Sequence, residues 1–387
     1  MSSASEKEQG QGAEMETLHR ARSRRGLWIA VAAVAAVVLI VSYGALSGWF
    51  SPQAQTVTLL GAGATFPYPL ISQWSSVYVN ATGVRVNYQA IGSGGGISQI
   101  TAKTVDFAGS DAPLNLAQRS AAPNLLHIPE TIGAVTFAYN LPGVSNGLNL
   151  TGPVIAGMFL GTVTVWNDPS ITTLNPGVSL PNEAITVVHR SDGSGTTFVW
   201  TSYLSKINAT WRDTVGKGTS VNWPAGIGAP GNSGVAGKIQ QTPYGCGYVE
   251  LAYTIQASMT VAKIENAAGN FILPTLDSTA AAAAGAAPTL PTGAGDWANV
   301  SIVDAPGATS YPVASFTYLL VYKELSVIGS SMTQAKAKAL VEFLWWVVHT
   351  GQSYSAALVY VPLPQAVVSI DETSINSITL NGQPLRG

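Results

Sequence analysis

An arginine and an aspartate stand two residues apart at the start of a stretch rich in glycine, serine and threonine. Arg190 and Asp192 are followed by Ser194, Gly195 and Thr196. A guanidinium offers a planar fork of N–H donors that matches a tetrahedral oxyanion. The nearby carboxylate can orient that fork through an ion pair. These residue types at this spacing predict an anion-binding site.

A second aspartate, Asp111, follows a β-rich run over residues 105–109. A carboxylate is unexpected beside a bound anion unless the ligand carries a proton that the carboxylate can accept. Phosphate retains a proton at neutral pH and sulfate does not, so a buried carboxylate would accept a hydrogen bond from phosphate and repel sulfate. A purely helix-capping role for Asp111 is the alternative.

Four strand-to-helix junctions would position these side chains. β-rich runs at residues 57–60, 85–90, 105–109 and 185–188 each end in Gly, Ser, Thr or Asp residues, and helical periodicity follows at about 67–79, 97–103 and 198–206. This alternation predicts an α/β fold with a mainly parallel sheet. Ligands of such sheets lie at the carboxyl ends of strands, where helix N-termini favour anions. Alternatively, each Ser or Thr only caps a helix and each Gly only forms a turn.

The composition excludes several classes of protein. Only 10% of the 387 residues are charged, against about 25% in typical soluble proteins, and the net charge of -2 argues against a nucleic-acid binder. With 47% hydrophobic residues the chain can form a large core, which argues against disorder. One cysteine excludes an intramolecular disulfide, and four scattered histidines offer little for a metal centre. We therefore expect neither a metal nor a cofactor.

The N-terminal segment predicts a membrane anchor. Residues 1–26 contain nine charges and end in an arginine cluster, whereas the stretch from Gly26 to Val84 contains none. The apolar run that starts at Leu27 is long enough to cross a bilayer, which takes about 20 residues. Positive charge before it predicts a cytoplasmic tail (1–26), a transmembrane anchor (27–50) and a linker (51–55), with the remaining chain extracytoplasmic. A cleavable signal peptide ending near residues 45–47 is the alternative.

Several motifs together resemble the phosphate-binding proteins of phosphate (Pst) ABC transporters. The resemblance covers about residues 56–370, and the combination is specific although each motif alone is weak. The motifs that carry it are Gly61–Pro67, Ile91–Gly95, Val105–Leu114, Trp166–Pro169, Leu174–Gly177, Arg190–Thr196, Thr201–Leu204, Gly247–Glu250 and Val341–Trp346 with Thr350–Gly351.

The resemblance implies a set of ligands for inorganic phosphate. The donors are expected among the residues that match the family's ligand positions, Asp111 is expected to accept the phosphate proton, and Asp192 matches the partner that orients the arginine. The phosphate-binding positions are Thr65, Phe66, Ser93, Asp111, Arg190, Ser194, Gly195 and Thr196. Two departures are Gly94, where many members carry serine, and His189, which we expect at the rim of the site.

The resemblance also implies the periplasmic-binding-protein type II fold, in which two α/β lobes joined by two crossing segments close on the ligand. We expect lobe 1 to comprise residues 56–138 and 313–387, and lobe 2 to comprise 139–312. The Ala-rich segment 279–295 reads as a surface insertion or flexible loop of the second lobe. The expected protein is a monomer that delivers phosphate to the permease subunits of an ABC transporter.

Other functions stay open at this point. His189, Asp192 and Ser194 are too crowded in one loop for a catalytic triad, and no GxSxG motif occurs. A phosphate-ester hydrolase on the same fold, a binder of another tetrahedral oxyanion and a structural surface protein are the alternatives. Four sequons, at Asn80, Asn149, Asn208 and Asn299, are compatible with an exported chain.

Overall fold

The computed structural model describes residues 33–38, 57–286 and 289–386. Residues from Thr56 onward form one compact unit, and residues 33–38 are helical. The predicted tail (1–26), the linker (51–55) and all of the predicted anchor except residues 33–38 lie outside the described residues. Within the described ranges, no helix combines the length and the apolar character that crossing a membrane requires.

Fourteen strands can be traced in the described part of the unit. They are β1 (Thr58–Gly63), β2 (Arg85–Ala90), β3 (Phe107–Ser110), β4 (Leu125–Tyr139), β5 (Asn149–Leu150), β6 (Thr186–Arg190), β7 (Ile227–Ala229), β8 (Gly245–Glu250), β9 (Thr260–Val261), β10 (Lys263–Glu265), β11 (Phe271–Ile272), β12 (Ala314–Tyr322), β13 (Thr379–Leu380) and β14 (Gln383–Pro384).

Helices alternate with these strands. They are α1 (Tyr68–Thr82), α2 (Ser93–Thr101), α3 (Leu116–Ala121), α4 (Gly152–Leu160), α5 (Pro169–Thr172), α6 (Gly195–Ile207), α7 (Ala209–Thr214), α8 (Gly231–Gln241), α9 (Leu251–Gln256), α10 (Leu276–Ala283), α11 (Gln334–Val348) and α12 (Gln365–Asn376), with 3₁₀ turns at Leu325–Ile328, Thr350–Tyr354 and Ala356–Leu358. The predicted α/β class is confirmed.

The main sheet has the order β2-β1-β3-β12-β4-β8-β6-β7, with β9 beside β4. Its two wings are parallel, because β1 pairs with β2 and β3, and β6 pairs with β7 and β8. Its centre is antiparallel, because β12 runs against β3 and β4, and β4 runs against β8. The sheet is therefore less parallel than the sequence predicted, since two long strands run back through its middle.

Strand β4 belongs to both halves of this sheet. Its residues Leu125 to Ala134 pair with β12, and its residues Val135 to Tyr139 pair with β8. The change of partner divides the fold into two α/β halves that share one continuous strand. The predicted lobe limits at 138/139 and 312/313 stay a prediction.

The core lies between this sheet and the helices on its faces. Five tryptophans are fully buried in it, which gives both halves large aromatic contacts. They are Trp74, Trp166, Trp200, Trp211 and Trp297.

The Ala-rich segment 279–295, predicted as a surface insertion or flexible loop, is helical over its first five residues, so the prediction is wrong there, whereas residues 284–286 and 290–295 form turns and irregular chain. Residues up to Ala283 form α10, which Thr275 caps by accepting from the Ser278 backbone N–H, and Thr279 is fully buried. Further on, the Gly293 carbonyl accepts from the His127 backbone N–H, and the Gly293 backbone N–H donates to Ser374 Oγ. Small side chains let the helical part of the segment pack against the sheet and let the backbone approach closely at Gly293.

Candidate anion-binding site

Two helix N-termini meet at the centre of the site. Helix α2 begins at Ser93 and helix α6 begins at Gly195, and the Gly195 backbone N–H donates to Ser93 Oγ over 3.1 Å. Both helices begin earlier than the sequence predicted, because the Gly-rich motifs form their first turns. The partial positive charge of two helix N-termini therefore converges on one place.

Glycines permit this close approach. Gly92 has a φ of 83°, and a Cβ atom there would lie 2.5 Å from both an Asp192 carboxylate oxygen and the Gly193 carbonyl oxygen. The Gly94 backbone N–H donates to the Gly193 carbonyl over 2.9 Å, so Gly94 forms part of the contact between the two loops. A side chain at Gly94 would press on Gly193, with its Cβ 3.1 Å from the Gly193 Cα.

Arg190 projects into the site from the last residue of β6, and its side chain is 1% exposed. Its Nε and Nη2 donate to the two carboxylate oxygens of Asp192, over 2.7 Å and 2.5 Å, and its Nη1 donates to Thr65 Oγ1 over 3.1 Å. Burial would raise the pKa of Asp192, but the hydrogen bonds and charge of Arg190 outweigh it and hold that pKa below its usual range. Asp192 therefore stays ionised and orients the guanidinium.

Hydrogen-bond donors outnumber the acceptors around Thr65 and Ser93. Thr65 Oγ1 faces Arg190 Nη1 and two donors of Asn232, the side-chain nitrogen at 3.0 Å and the backbone N–H at 3.3 Å. Ser93 Oγ accepts backbone N–H groups from both Asp111 and Gly195. A hydroxyl oxygen has two lone pairs, so this cluster has donor capacity that an anion would satisfy.

Asp111 is the acceptor within this cluster of donors, and it is 1% exposed. Its Oδ1 accepts from the Thr317 hydroxyl over 2.9 Å, and its Oδ2 is buried without a hydrogen-bond partner among the described residues. Burial raises the pKa of Asp111 to about 7, although hydrogen bonds from Thr317 and Ser93 and the charge of Arg190 oppose the rise. A buried oxygen without a donor is costly, so it suits a ligand that brings its own proton.

The structure brings most of the predicted site residues together. Hydrogen bonds link Thr65 to Arg190, and Ser93 to both Asp111 and Gly195. Thr196 joins through Asn232, whose side-chain nitrogen donates to Thr196 Oγ1 over 3.1 Å.

Two predicted residues have structural roles beside the cluster. Ser194 caps α6 by accepting from the Thr197 backbone N–H. Phe66 is fully buried, and its carbonyl accepts from the Tyr360 hydroxyl over 2.7 Å. Ser194 therefore caps a helix, which was the alternative role that the sequence allowed. The cap uses only the oxygen of Ser194, so the hydroxyl hydrogen can still donate to a ligand.

Sequence reasoning missed Asn232, which bridges Thr65, Thr196 and the Glu250 backbone N–H. It stands in the first turn of α8, directly after the short strand β7. The signal was a fifth strand-to-helix junction, Pro230-Gly231-Asn232, which lacks a charged residue. The Gly231 backbone N–H also donates to Asp192.

His189 lies beside the site without entering it. Its ring stacks on Trp223 with 4.7 Å between ring centroids, and its Nδ1 lies 3.0 Å from the Arg190 carbonyl oxygen. Burial lowers the pKa of His189, so its ring is neutral at physiological pH. Among the described residues no cluster of His, Cys, Asp and Glu could hold a metal ion.

Comparison with known proteins assigns this chain to a protein superfamily. Residues 51–348 match the family model described as a PBP superfamily domain, so the chain is a member of the superfamily of substrate-binding proteins with this α/β fold. The structure of a high-affinity periplasmic phosphate-binding protein, PfluDING, bound with phosphate matches with a TM-score of 0.64. That match has 21% identity and covers 84% of this chain and 99% of the other, so it supports the fold.

Curated relatives narrow the class further. The phosphate-binding protein PstS of Pasteurella multocida (strain Pm70) is 46% identical over 317 residues, covering 82% of this chain and 88% of the relative. PstS of Xylella fastidiosa (strain 9a5c) is 45% identical over 322 residues, covering 82% of this chain and 84% of the relative. The chain therefore belongs to the PstS family of phosphate-binding proteins, as its motifs predicted.

Proposed function

We propose that this protein binds inorganic phosphate outside the cytoplasm and delivers it to the permease of an ABC transporter. The observation that carries the proposal is the buried Asp111 Oδ2, which has no donor among the described residues although it lies among surplus N–H donors and beside a buried arginine. This arrangement fits a tetrahedral anion that keeps one proton. The PstS relatives support the same ligand by their names.

The proposal assigns roles to the predicted residues. Arg190, Ser93, Ser194, Thr65 and the backbone N–H groups of Phe66, Gly195 and Thr196 donate to the phosphate oxygens. Asp111 accepts the phosphate proton, and Asp192 orients Arg190. The two lobes, 56–138 with 313–387 and 139–312, close around the ligand and exclude water, which strengthens these hydrogen bonds.

The proposal also covers membrane attachment, oligomeric state and the absence of catalysis. The protein is held at the membrane by residues 27–50, with the N-terminus cytoplasmic, and acts as a monomeric binding protein without catalytic activity. The charge-free apolar run after the arginine cluster supports the anchor. The binding-protein names of the relatives support the absence of catalysis.

Calorimetric titration tests the proposal. The full chain in detergent micelles is titrated with phosphate, arsenate and sulfate at pH 7.5. We expect tight binding of phosphate, binding of the isosteric arsenate, and no measurable binding of sulfate, which lacks a proton for Asp111. Tight sulfate binding, or no phosphate binding, would refute the proposed ligand.

A further inference from the structure

One hydroxyl lies between two buried carboxyl groups beside the site. Thr317 Oγ1 on β12 is 2.9 Å from Asp111 Oδ1 and 3.1 Å from Glu130 Oε1 on β4. A hydroxyl carries one hydrogen and can make a well-aligned hydrogen bond to only one of these oxygens. The other contact is favourable only when that carboxyl group is protonated and donates to the Thr317 oxygen. The trio therefore requires one carboxylic proton.

The backbone holds this trio in place. Glu130 is fully buried in the central strand β4, and its carbonyl accepts from Gln352 Nε2 over 2.9 Å. Thr317 is opposite Thr131 in the ladder between β12 and β4. The second carboxyl oxygen of Glu130 is buried without a hydrogen-bond partner among the described residues. The ladder shifts register between Thr317 and Tyr318, beside Glu130, so the three groups meet at an irregularity in the pairing of β12 with β4.

The surroundings decide which carboxyl group keeps the proton. Burial raises the pKa of both groups, to about 7 for Asp111 and about 8 for Glu130. The positive charge of Arg190 lowers the pKa of Asp111, whereas the neighbouring Asp111 raises that of Glu130. The charge of Arg190 therefore favours ionisation of Asp111, and the charge of Asp111 favours retention of the proton by Glu130.

Other titratable groups around the trio add negative charge or none. Glu250 is also fully buried, and Asp111 contributes to its raised pKa of about 8. The buried tyrosines Tyr88, Tyr253, Tyr318 and Tyr360, on elements packed around Asp111, have pKa values raised chiefly by burial, so they stay neutral. The positive charge of Arg190 is partly offset by its ion pair with Asp192. A bound phosphate dianion would add negative charge here and raise the pKa of Glu130 further.

We propose that Glu130 is a positioning residue of the anion site that must be a neutral carboxylic acid when the anion is bound. Its proton is donated to Thr317 Oγ1, which directs the single Thr317 hydrogen to Asp111 Oδ1. Asp111 is thereby kept ionised, with Oδ2 free to accept the proton of phosphate. This inference rests on the proposed function, and it adds a proton-linked determinant of selectivity for phosphate over sulfate.

The inference predicts proton uptake during binding at alkaline pH. Part of Glu130 is ionised in the ligand-free protein near pH 8, so binding must restore its proton from solvent. The binding enthalpy of phosphate is measured at pH 8 in two buffers of different ionisation enthalpy, with the full chain in detergent micelles. We expect the wild type to take up roughly half a proton more per phosphate than Glu130→Gln. Equal proton uptake by the two proteins would overturn the inference.

Two substitutions at Glu130 separate a hydrogen-bonding role from a packing role. The amide of Glu130→Gln can donate to Thr317 as the neutral acid does, whereas the similarly sized Glu130→Met cannot donate. We expect the ratio of phosphate affinity to sulfate affinity to be about tenfold higher in the Gln variant than in the Met variant, the size of one hydrogen bond to a charged group. Thr317→Val, which removes the link itself, is expected to resemble Glu130→Met.

The outcomes distinguish this inference from the proposed function. If the wild type fails to bind phosphate, the proposed function fails. If the wild type binds phosphate, equal selectivity of the Gln and Met variants overturns the role of Glu130. Proton uptake by the wild type at pH 8 needs no substitution, so the test remains decisive even if the variants do not fold. Absence of proton uptake by the wild type would refute the inference.

Discussion

Replacing Arg190 with alanine tests the site most directly. The substitution removes two hydrogen bonds to Asp192 and one to Thr65, together with the guanidinium that we propose as a phosphate donor. The side chain is 1% exposed, so neighbouring water cannot replace these donors fully. Loss of one partner of a buried, charged hydrogen-bonded pair costs about 2–5 kcal/mol of binding free energy. The dissociation constant for phosphate should therefore rise by roughly 30-fold to 5,000-fold.

The same substitution affects folding less than binding. Breaking a buried ion pair by removing one partner costs about 3–5 kcal/mol in general. Asp192 keeps 24% of its side chain exposed, so solvent screening reduces the expected loss in the free energy of unfolding to about 1–3 kcal/mol. Urea unfolding of the phosphate-free protein measures this quantity, and calorimetry measures the change in affinity.

Arg119→Ala is the matched control. Arg119 also pairs with an aspartate, Asp296, at 2.8 Å, but both side chains are partly exposed, at 34% and 61%. Surface pairs are screened by solvent and contribute little to stability, and among the residues that the structure describes this pair makes no hydrogen bond to those of the site, so we expect no change in phosphate affinity. If Arg190→Ala weakens phosphate binding by less than tenfold, or no more than Arg119→Ala does, the assignment of Arg190 as a buried donor is wrong.

Three further predictions address the acceptor, the close approach of the helices and the pH dependence. Asp111→Asn should reduce the ratio of phosphate to sulfate affinity by at least about tenfold, because the amide no longer repels sulfate, and competition titrations with the two anions measure that ratio. Gly195→Ala should weaken phosphate binding at least about tenfold in calorimetry, because the added Cβ meets the Asp111 carboxylate and lies 2.5 Å from Ser93 Oγ. The free energy of unfolding of the phosphate-free protein should fall by several kcal/mol between about pH 4 and pH 8, because Asp111, Glu130 and Glu250 have pKa values raised to about 7, 8 and 8 in the folded state.

Each of these predictions has a contradicting result. The sign of the pH effect follows from the raised pKa values: the folded state binds more protons than the unfolded state in this interval, so rising pH favours unfolding. A free energy of unfolding that stays constant or rises with pH would contradict the burial of the Asp111, Glu130 and Glu250 carboxyl groups. Unchanged selectivity in Asp111→Asn would remove the proton-acceptor role, with Asp296→Asn as the surface control for loss of charge. Unchanged affinity in Gly195→Ala would show that the two helix N-termini do not approach this closely.

The strand-to-helix junctions could be predicted because their signals are local. Strand β2 has the limits that the sequence indicated, Arg85–Ala90. The starts of α2 and α6 were misplaced, because glycines that read as loop residues form the first turns of both helices. The first residues of the Ala-rich segment, up to Ala283, were misassigned to a loop for a related reason, since composition does not show that a small side chain is packed against a sheet.

The sequence by itself determined the parts of the site that depend on neighbouring residues. Arg190 and Asp192 are two positions apart, and Ser194 caps the helix that follows them, so local chemistry was enough to predict an oriented guanidinium at a helix N-terminus. The isolated Asp111 at a strand end was a similarly local signal. Such features depend on bond geometry over a few residues and hardly on the rest of the chain.

Only the tertiary structure decided the contacts that join distant segments. Thr317 is 206 residues from Asp111 and 187 from Glu130, and Asn232 is 167 residues from Thr65. The contacts of Thr317 exist because β12 runs antiparallel to both β3 and β4 at the centre of the sheet, with a shift of register between Thr317 and Tyr318. Shifting the register of a strand by one residue turns its side chains to the opposite face. Strand order and register therefore decide whether Glu130 and Thr317 meet Asp111, and no local pattern in the sequence specifies them.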